Sequence, residues 1–85
     1  MKKSICILGS TGSIGKSSIS LISKNKKVFS IDLLMANSNY KLISEQIKKY
    51  QPKYFIINNY KIYLKIKNKF RKTKIKILNN INDVR

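Results

Sequence analysis

The chain has 85 residues, which allows one small domain with a modest core and excludes a complete two-domain enzyme. Its formal net charge of +16 comes from 19 basic residues against three acidic ones, and almost all of the basic residues are Lys. Because proteins that read bases and phosphates favour the bidentate fork of Arg, this surplus of Lys predicts no specific nucleic-acid partner.

The single cysteine, Cys6, excludes an intrachain disulfide and a cysteine metal site. Its position inside an apolar stretch predicts a small buried thiol. The apolar stretch that follows Lys2 and Lys3 is too short for a signal peptide or a membrane span. We therefore expect a cytoplasmic protein without a membrane partner.

The first predicted strand is the apolar run of residues 5–8, which is typical of a central strand in a parallel sheet covered on both faces. A glycine-containing loop at residues 9–15 leads from it into a predicted helix. The spacing predicts a buried helix face made of Ile14, Ser18, Leu21 and Ile22. The side chains expected to face water are Lys16, Ser20 and Lys24.

The second predicted strand is Phe29–Ala36, which is rich in apolar and β-favouring residues. The polar run of residues 37–39 follows it and supplies turn and N-cap chemistry. A helix over Tyr40–Tyr50 comes next, and Pro52 prevents its continuation. Its predicted buried face consists of Leu42, Ile43, Ile47 and Tyr50.

The third predicted strand is Tyr54–Ile57, and the fourth covers residues 74–78. A helix between them is indicated by Ile62, Ile66 and Phe70 at four-residue spacing. The β-α-β-α-β-α-β alternation predicts an α/β fold, a Rossmann-like parallel sheet with helices on both faces. We expect the fourth strand to cross to the far side of the first, and the fold to be incomplete because residues 79–85 come where another element should begin.

The loop at residues 9–15 carries the chemistry of the chain. A strand that turns through glycines into a helix leaves backbone N–H groups unpaired, where the helix dipole adds roughly half a positive charge. Such a turn binds phosphate, and glycine allows both the turn and the close approach of a pyrophosphate. The residues predicted to bind a cofactor here are Gly9, Thr11, Gly12, Ser13, Ile14 and Gly15.

An alternative for the same loop is a P-loop, because Gly15, Lys16 and Ser17 match the end of that motif. Ser10 stands where the motif requires its first glycine, and no later strand ends in an Asp that would hold magnesium. A P-loop-like nucleotide binder is therefore an alternative to a dinucleotide site.

The end of the second strand indicates which dinucleotide is bound. A site that prefers NAD has an Asp or Glu at this point to accept the ribose hydroxyls. Here the residues are Asn37, Ser38 and Asn39, which can donate hydrogen bonds to a 2′-phosphate, and Asp32 lies in the middle of the strand. These residues predict NADP, with a plain turn and helix cap as the alternative explanation.

Residues 7–15 closely resemble the opening of the 1-deoxy-D-xylulose 5-phosphate reductoisomerase family, and the resemblance continues through residues 29–39 and 51–54. It implies that Thr11, Gly12, Ser13 and Ile14 contact the pyrophosphate side of NADPH. It also implies that Asn37, Ser38 and Asn39 surround the 2′-phosphate, where Asn39 matches best and the family often has Gly and Lys in place of the first two.

The resemblance implies an NADPH-dependent conversion of 1-deoxy-D-xylulose 5-phosphate to 2-C-methyl-D-erythritol 4-phosphate in non-mevalonate isoprenoid biosynthesis. The resemblance implies that Mg or Mn supports this reaction in the full-length family. It is also compatible with a homodimer of the full-length enzyme. The metal ligands of the family lie far downstream, and Asp32, Glu45 and Asp83 match no ligand motif.

We therefore interpret residues 1–85 as a partial N-terminal NADP-binding Rossmann-like domain without the metal-binding, catalytic and C-terminal domains. Such a chain would bind cofactor at most, and the sugar phosphate would bind only in the full-length enzyme. The alternative from a different class is a noncatalytic module that binds a dinucleotide or a polyanion.

Overall fold

The computed structural model describes residues 2–83 and confirms the predicted alternation of strands and helices. The predicted element at the chain end falls partly on residues 84–85, which lie outside the described residues. A short 3₁₀ helix, Ile81–Asp83, follows the last strand. The other elements are β1 Lys3–Leu8, α1 Ser13–Ser23, β2 Phe29–Ala36, α2 Tyr40–Tyr50, β3 Tyr54–Ile57, α3 Tyr60–Lys69 and β4 Lys76–Leu78.

The four strands form one parallel sheet in the order β1-β2-β3-β4. The expectation that β4 crosses to the far side of β1 is wrong, because β4 pairs with β3 and aligns Ile77 with Phe55. Each crossover carries the chain to the neighbouring position in the same direction, which is the commonest arrangement of consecutive strands. Among residues 2–83, β1 is therefore an edge strand and not the predicted central one.

One face of this sheet carries the core. In β1, Ile5 and Ile7 face the core, while Cys6 and Leu8 point to the other side, as the two-residue period of a strand requires. Right-handed crossovers that all advance in one direction place their helices on the same face. Accordingly, one core cluster joins the sheet to all three helices, through Ile7, Ile19, Leu34, Ala36, Ile43, Ile47, Phe55, Ile57, Ile66, Phe70 and Ile77.

The opposite face of the sheet carries no helix within residues 2–83, so the predicted helices on both faces are not found in this part of the chain, because the crossovers all advance in one direction. The prediction of a buried thiol is wrong as a consequence, because Cys6 lies on this face in an edge strand and is exposed. Leu8 on the same face is 63% exposed. Towards the centre of the sheet, by contrast, Leu33 and Ile56 are buried.

The buried face of α1 differs in part from the prediction: Ser18 is half-buried and Ile22 packs half-buried against the core, as predicted, but the other two residues are exposed. Ile14 and Leu21 are 84% and 66% exposed, whereas Gly15 and Ile19 are buried. The reason is that Gly15 packs on the backbone of the preceding loop, which turns its side of the helix inward and brings Ile19 into the core one turn later. The side chains predicted to face water are exposed, namely Lys16, Ser20 and Lys24.

The second and third helices follow their predicted faces. In α2, Ile43 and Ile47 are fully buried, and burial of each such side chain contributes about 1.5–3 kcal/mol. Leu42 and Tyr50 are half-buried, and the helix ends at Gln51 with φ 45°, directly before the buried Pro52. In α3 the predicted stripe is confirmed by buried Ile66 and Phe70 and half-buried Ile62. No helix among these residues has the length and apolar character needed to cross a bilayer.

Candidate nucleotide-binding site

The carboxyl ends of β1 and β2 lie side by side and bring the two predicted cofactor segments together. Leu8 pairs with Met35 at the end of the ladder, and the N–H of Ser10 then donates to the carbonyl oxygen of Met35 at 2.8 Å. Residues 37–39 follow Met35 after one more residue. The glycine loop and the polar segment after β2 therefore adjoin at one edge of the sheet, where ligands of open α/β sheets bind.

Gly9 and Gly15 are needed by the fold of the loop. Gly9 has φ +72°, a left-handed conformation that other residues adopt only with strain. A Cβ on Gly15 would lie 2.8 Å from Cα of Ser10 and still closer to the carbonyl oxygen of Gly9. These two glycines let α1 start directly against the loop.

Gly12 is different, because the fold itself leaves room for a side chain there. Its φ is −77°, and an added Cβ would meet the carbonyl oxygen of Gly9 at 3.4 Å, an ordinary contact distance. Gly12 is also exposed and is the N-cap of α1. A side chain at Gly12 would occupy the space in front of the N-terminus of α1.

The N-terminus of α1 has no side-chain cap among the described residues. The other two helices are capped: Asn39 Oδ1 accepts from the N–H of Leu42 at 3.2 Å, and Asn59 Oδ1 accepts from Ile62 at 3.1 Å. In α1 the first ladder bond runs from Lys16 to Gly12, which leaves the N–H groups of residues 13–15 without a side-chain acceptor among residues 2–83. Unpaired donors of this kind and the positive end of the helix dipole are the features by which helix N-termini bind anions.

A cavity of about 490 Å³ opens beside this helix N-terminus. The structure brings five of the predicted residues of the loop to it, and Thr11 is half-buried in the turn between them. Leu8 and Ile14 supply exposed apolar surface at its edge. The residues around the cavity are Ile7, Leu8, Gly9, Gly12, Ser13, Ile14, Gly15 and Ser18.

The side chains of Asn37, Ser38 and Asn39 are exposed after β2, as a phosphate-binding segment requires. Asn39 also caps α2 through its Oδ1, so the turn-and-cap explanation holds for this atom. The Nδ2 of the same amide is a separate donor group that the cap does not use. Asp32, in the middle of β2, accepts from the Ser30 hydroxyl at 2.8 Å and is not at the end of the strand.

Gln46 was not predicted to belong to the site. It lies in α2, is 6% exposed, and its Nε2 donates to the carbonyl oxygen of Ser10 at 2.8 Å. A glutamine between Ile43 and Ile47 on the buried side of a helix is the signal in the sequence that could have indicated a buried polar contact. Its partner, 36 residues away, is not indicated by any local pattern.

A second cavity, of about 600 Å³, lies away from the loop, near the C-terminal ends of α2 and α3. Ile47 and Phe70 contribute apolar surface to it. Four lysines also line it, Lys48, Lys53, Lys72 and Lys74. Within residues 2–83 no three His, Cys, Asp or Glu side chains lie together as a group that could hold a metal ion.

The parallel sheet, the glycine turn after β1 and the uncapped α1 define a Rossmann-like α/β domain. The family model of 1-deoxy-D-xylulose 5-phosphate reductoisomerase matches residues 5–85. The chain therefore belongs to the 1-deoxy-D-xylulose 5-phosphate reductoisomerase family.

The similarity covers most of this chain and a small part of its relatives. The 1-deoxy-D-xylulose 5-phosphate reductoisomerase of Pelagibacter ubique is 38% identical over 82 residues, which are 96% of this chain and 21% of that protein. The structure of the Zymomonas mobilis enzyme in complex with NADPH is 27% identical, with a TM-score of 0.83 over 92% of this chain and 21% of that one. The chain thus spans about a fifth of the length of these relatives.

A further solved structure, a DOX-P reductoisomerase in complex with magnesium, shares the fold. Its TM-score is 0.82 at 24% identity, over 92% of this chain and 20% of that chain.

Proposed function

We propose that residues 1–85 form the N-terminal part of the NADPH-binding domain of a 1-deoxy-D-xylulose 5-phosphate reductoisomerase. The observation that carries this proposal is the uncapped N-terminus of α1, set against the end of β2 by the bond from Ser10 to Met35. The Zymomonas mobilis relative, whose structure contains NADPH, supports the choice of cofactor.

The pyrophosphate of NADPH would lie in front of α1. There the N–H groups of Ser13, Ile14 and Gly15 can donate to its oxygens, and the exposed Gly12 leaves room for the close approach. Thr11 would complete the turn around the phosphate. Gly9 and Gly15 would contribute by maintaining the shape of the loop. Another residue at Gly9 would have a strained backbone, and one at Gly15 would clash with the loop.

The 2′-phosphate would lie against Asn37, Ser38 and Asn39. No carboxylate follows β2 to repel the charge, and the Asn39 Nδ2, the Ser38 hydroxyl and the Asn37 amide are exposed donors. The formal charge of +16 adds a general attraction for an anionic ligand. This arrangement supports NADPH over NADH.

The whole protein would convert 1-deoxy-D-xylulose 5-phosphate to 2-C-methyl-D-erythritol 4-phosphate, and bound NADPH would supply the hydride. Residues 2–83 do not fit a metal site, since no group of three potential ligands is present among them. We assign metal binding, catalysis and the sugar-phosphate site to the four fifths of the relatives' length that this chain does not match. A homodimer of that whole protein and a cytoplasmic location remain predictions from the sequence and the family.

A noncatalytic polyanion-binding module is the second candidate, because four lysines surround the 600 Å³ cavity away from the loop. Attraction of this kind weakens steeply with salt, whereas a specific cofactor site depends on the shape of the ligand. The two functions therefore differ in their response to ionic strength.

The test is a calorimetric titration of the 85-residue chain with NADPH, NADH and ATP at low and high salt. We expect binding that persists at high salt and prefers NADPH. Binding that disappears at high salt equally for all three ligands would favour the polyanion module, and a preference for ATP would favour the P-loop alternative. A folded chain that binds none of them would contradict the proposal. Lys72→Ala with Lys74→Ala is the matched control, which should weaken only the salt-sensitive component.

A further inference from the structure

A buried hydrogen bond joins α2 to the glycine loop. Gln46 Nε2 donates to the carbonyl oxygen of Ser10 at 2.8 Å, with Ser10 fully buried and Gln46 only 6% exposed. A hydrogen bond in a dry environment is electrostatically stronger than one exposed to water. This bond joins two elements that are 36 residues apart in the chain.

Ser10 is held from two sides. Its N–H donates to Met35 at the end of β2, and its carbonyl oxygen accepts from Gln46 in α2. The neighbouring turn is closed by the bond from the Gly12 N–H to the Gly9 oxygen. The position of the turn, and hence of the α1 N-terminus, depends on where Ser10 is anchored.

The same helix begins at the other half of the proposed site. Asn39 is the N-cap of α2, and Gln46 lies two turns further along. Because a helix is rigid over two turns, α2 connects the segment after β2 with the loop after β1. A shift of the loop relative to this helix would change the distance between the two phosphate-binding regions.

Burial of the Gln46 amide lowers the stability of the fold, which indicates that its bond to Ser10 serves the function of the loop. Its Oε1 is buried and has no hydrogen-bond partner among the described residues. An apolar side chain of similar size at position 46, between Ile43 and Ile47, would not leave a buried polar atom unpaired. The position nevertheless carries a donor, and the donor is directed at the loop.

We propose that Gln46 is a positioning residue for the cofactor, which holds the glycine loop at the distance from Asn39 that the two phosphate groups of NADPH require. This inference rests on the proposed function. Gln46 touches Ser10 and acts through the loop backbone.

The test compares Gln46→Leu, which removes the donor at similar volume, with Ser44→Ala as the matched control. Ser44 is also buried in α2, and its hydroxyl has no hydrogen-bond partner within residues 2–83. Calorimetry measures the affinity for NADPH. An NMR titration measures the affinity for adenosine 2′-monophosphate, which lacks the pyrophosphate. Amide hydrogen exchange of residues 9–15 reports on the loop without any ligand.

We expect Gln46→Leu to weaken the binding of NADPH about tenfold, which is the scale of a lost buried hydrogen bond. The binding of adenosine 2′-monophosphate should weaken less than about twofold. Exchange in the loop should accelerate, and Ser44→Ala should change none of the three. Unchanged NADPH affinity in folded Gln46→Leu, or equal weakening of both ligands, would overturn the proposal. If the wild-type chain binds neither ligand, the proposed function fails, and unaltered loop exchange in the variant would then overturn the anchoring as well.

Gln46→Glu provides a second variant if Gln46→Leu does not fold. Its ionised carboxylate cannot donate to the Ser10 oxygen, but its protonated form can, and burial raises the pKa of a carboxyl group. Lys16 and Lys49 line the same cavity as residue 46 and favour the ionised form, so the variant should bind NADP⁺ more weakly than the wild type at about pH 8. Equal NADP⁺ affinity of the folded variant and the wild type at this pH would contradict the role of the donor.

Discussion

Gly15 lies so close to Gly9 that a Cβ on Gly15 would overlap the carbonyl oxygen of Gly9. The contact joins the first turn of α1 to the end of β1, and it also determines which side of the helix is buried. Gly9 itself has a positive φ, so both residues of the contact are restricted to glycine for different reasons.

Replacement of Gly15 by Ala is expected to destabilise the chain, because the nearest neighbours of the new methyl group are backbone atoms that cannot move aside easily. Overpacking of this kind costs about 1–3 kcal/mol. Thermal unfolding followed by circular dichroism measures the effect. Gly12→Ala is the matched control and should keep a melting temperature near that of the wild type, since its Cβ has room. Equal melting temperatures for Gly15→Ala and Gly12→Ala would contradict the packing argument.

Replacement of Gly12 by Val should leave the chain folded and weaken NADPH at least about tenfold, because the side chain would occupy the place of the pyrophosphate. Circular dichroism verifies the fold, and calorimetry measures the affinity. Unchanged affinity in the folded variant would show that the pyrophosphate does not bind in front of α1.

Asn39→Asp should weaken the binding of NADPH more than the binding of NADH. Asp retains an oxygen that can cap α2, as Asn39 does towards Leu42, so the helix should persist while a negative charge faces the 2′-phosphate. We expect about a tenfold loss for NADPH, the scale of one unfavourable charge contact near a protein surface. Titrations with both cofactors measure the difference.

Asn59→Asp is the control for this prediction, since Asn59 caps α3 in the same way but does not belong to the proposed site. It should leave the ratio of the NADPH and NADH affinities unchanged. An equal loss for both cofactors in Asn39→Asp would mean that the 2′-phosphate is not read at this position.

Cys6 should react with a thiol reagent in the folded chain, because it is exposed on the face of the sheet opposite the helices. We expect a rate close to that of the chain in denaturant, as measured with a chromogenic disulfide reagent. Cys6→Ser should remove the signal. Strong protection of the thiol would show that this face is covered in solution, for example by a second copy of the chain.

Most local features could be read from the sequence because they depend on neighbouring residues. Phe29–Ala36, Tyr40–Tyr50 and Tyr54–Ile57 have the predicted bounds, since turn residues and Pro52 mark their ends. β4 is shorter than its apolar pattern, because only Lys76–Leu78 pairs with β3. Ile14 was assigned to the wrong face, because periodicity does not show which side of a helix meets the sheet.

Local patterns were enough to predict the alternation of strands and helices, the glycine loop and the polar residues after β2, because each pattern lies within a few neighbouring residues. Only the packed structure shows that β4 joins β3, that Cys6 and Ile14 face outward, and that Gln46 reaches Ser10. Those features depend on contacts between residues that are distant in the chain. Such contacts are selected by the packing of whole elements, which no local pattern of residues encodes.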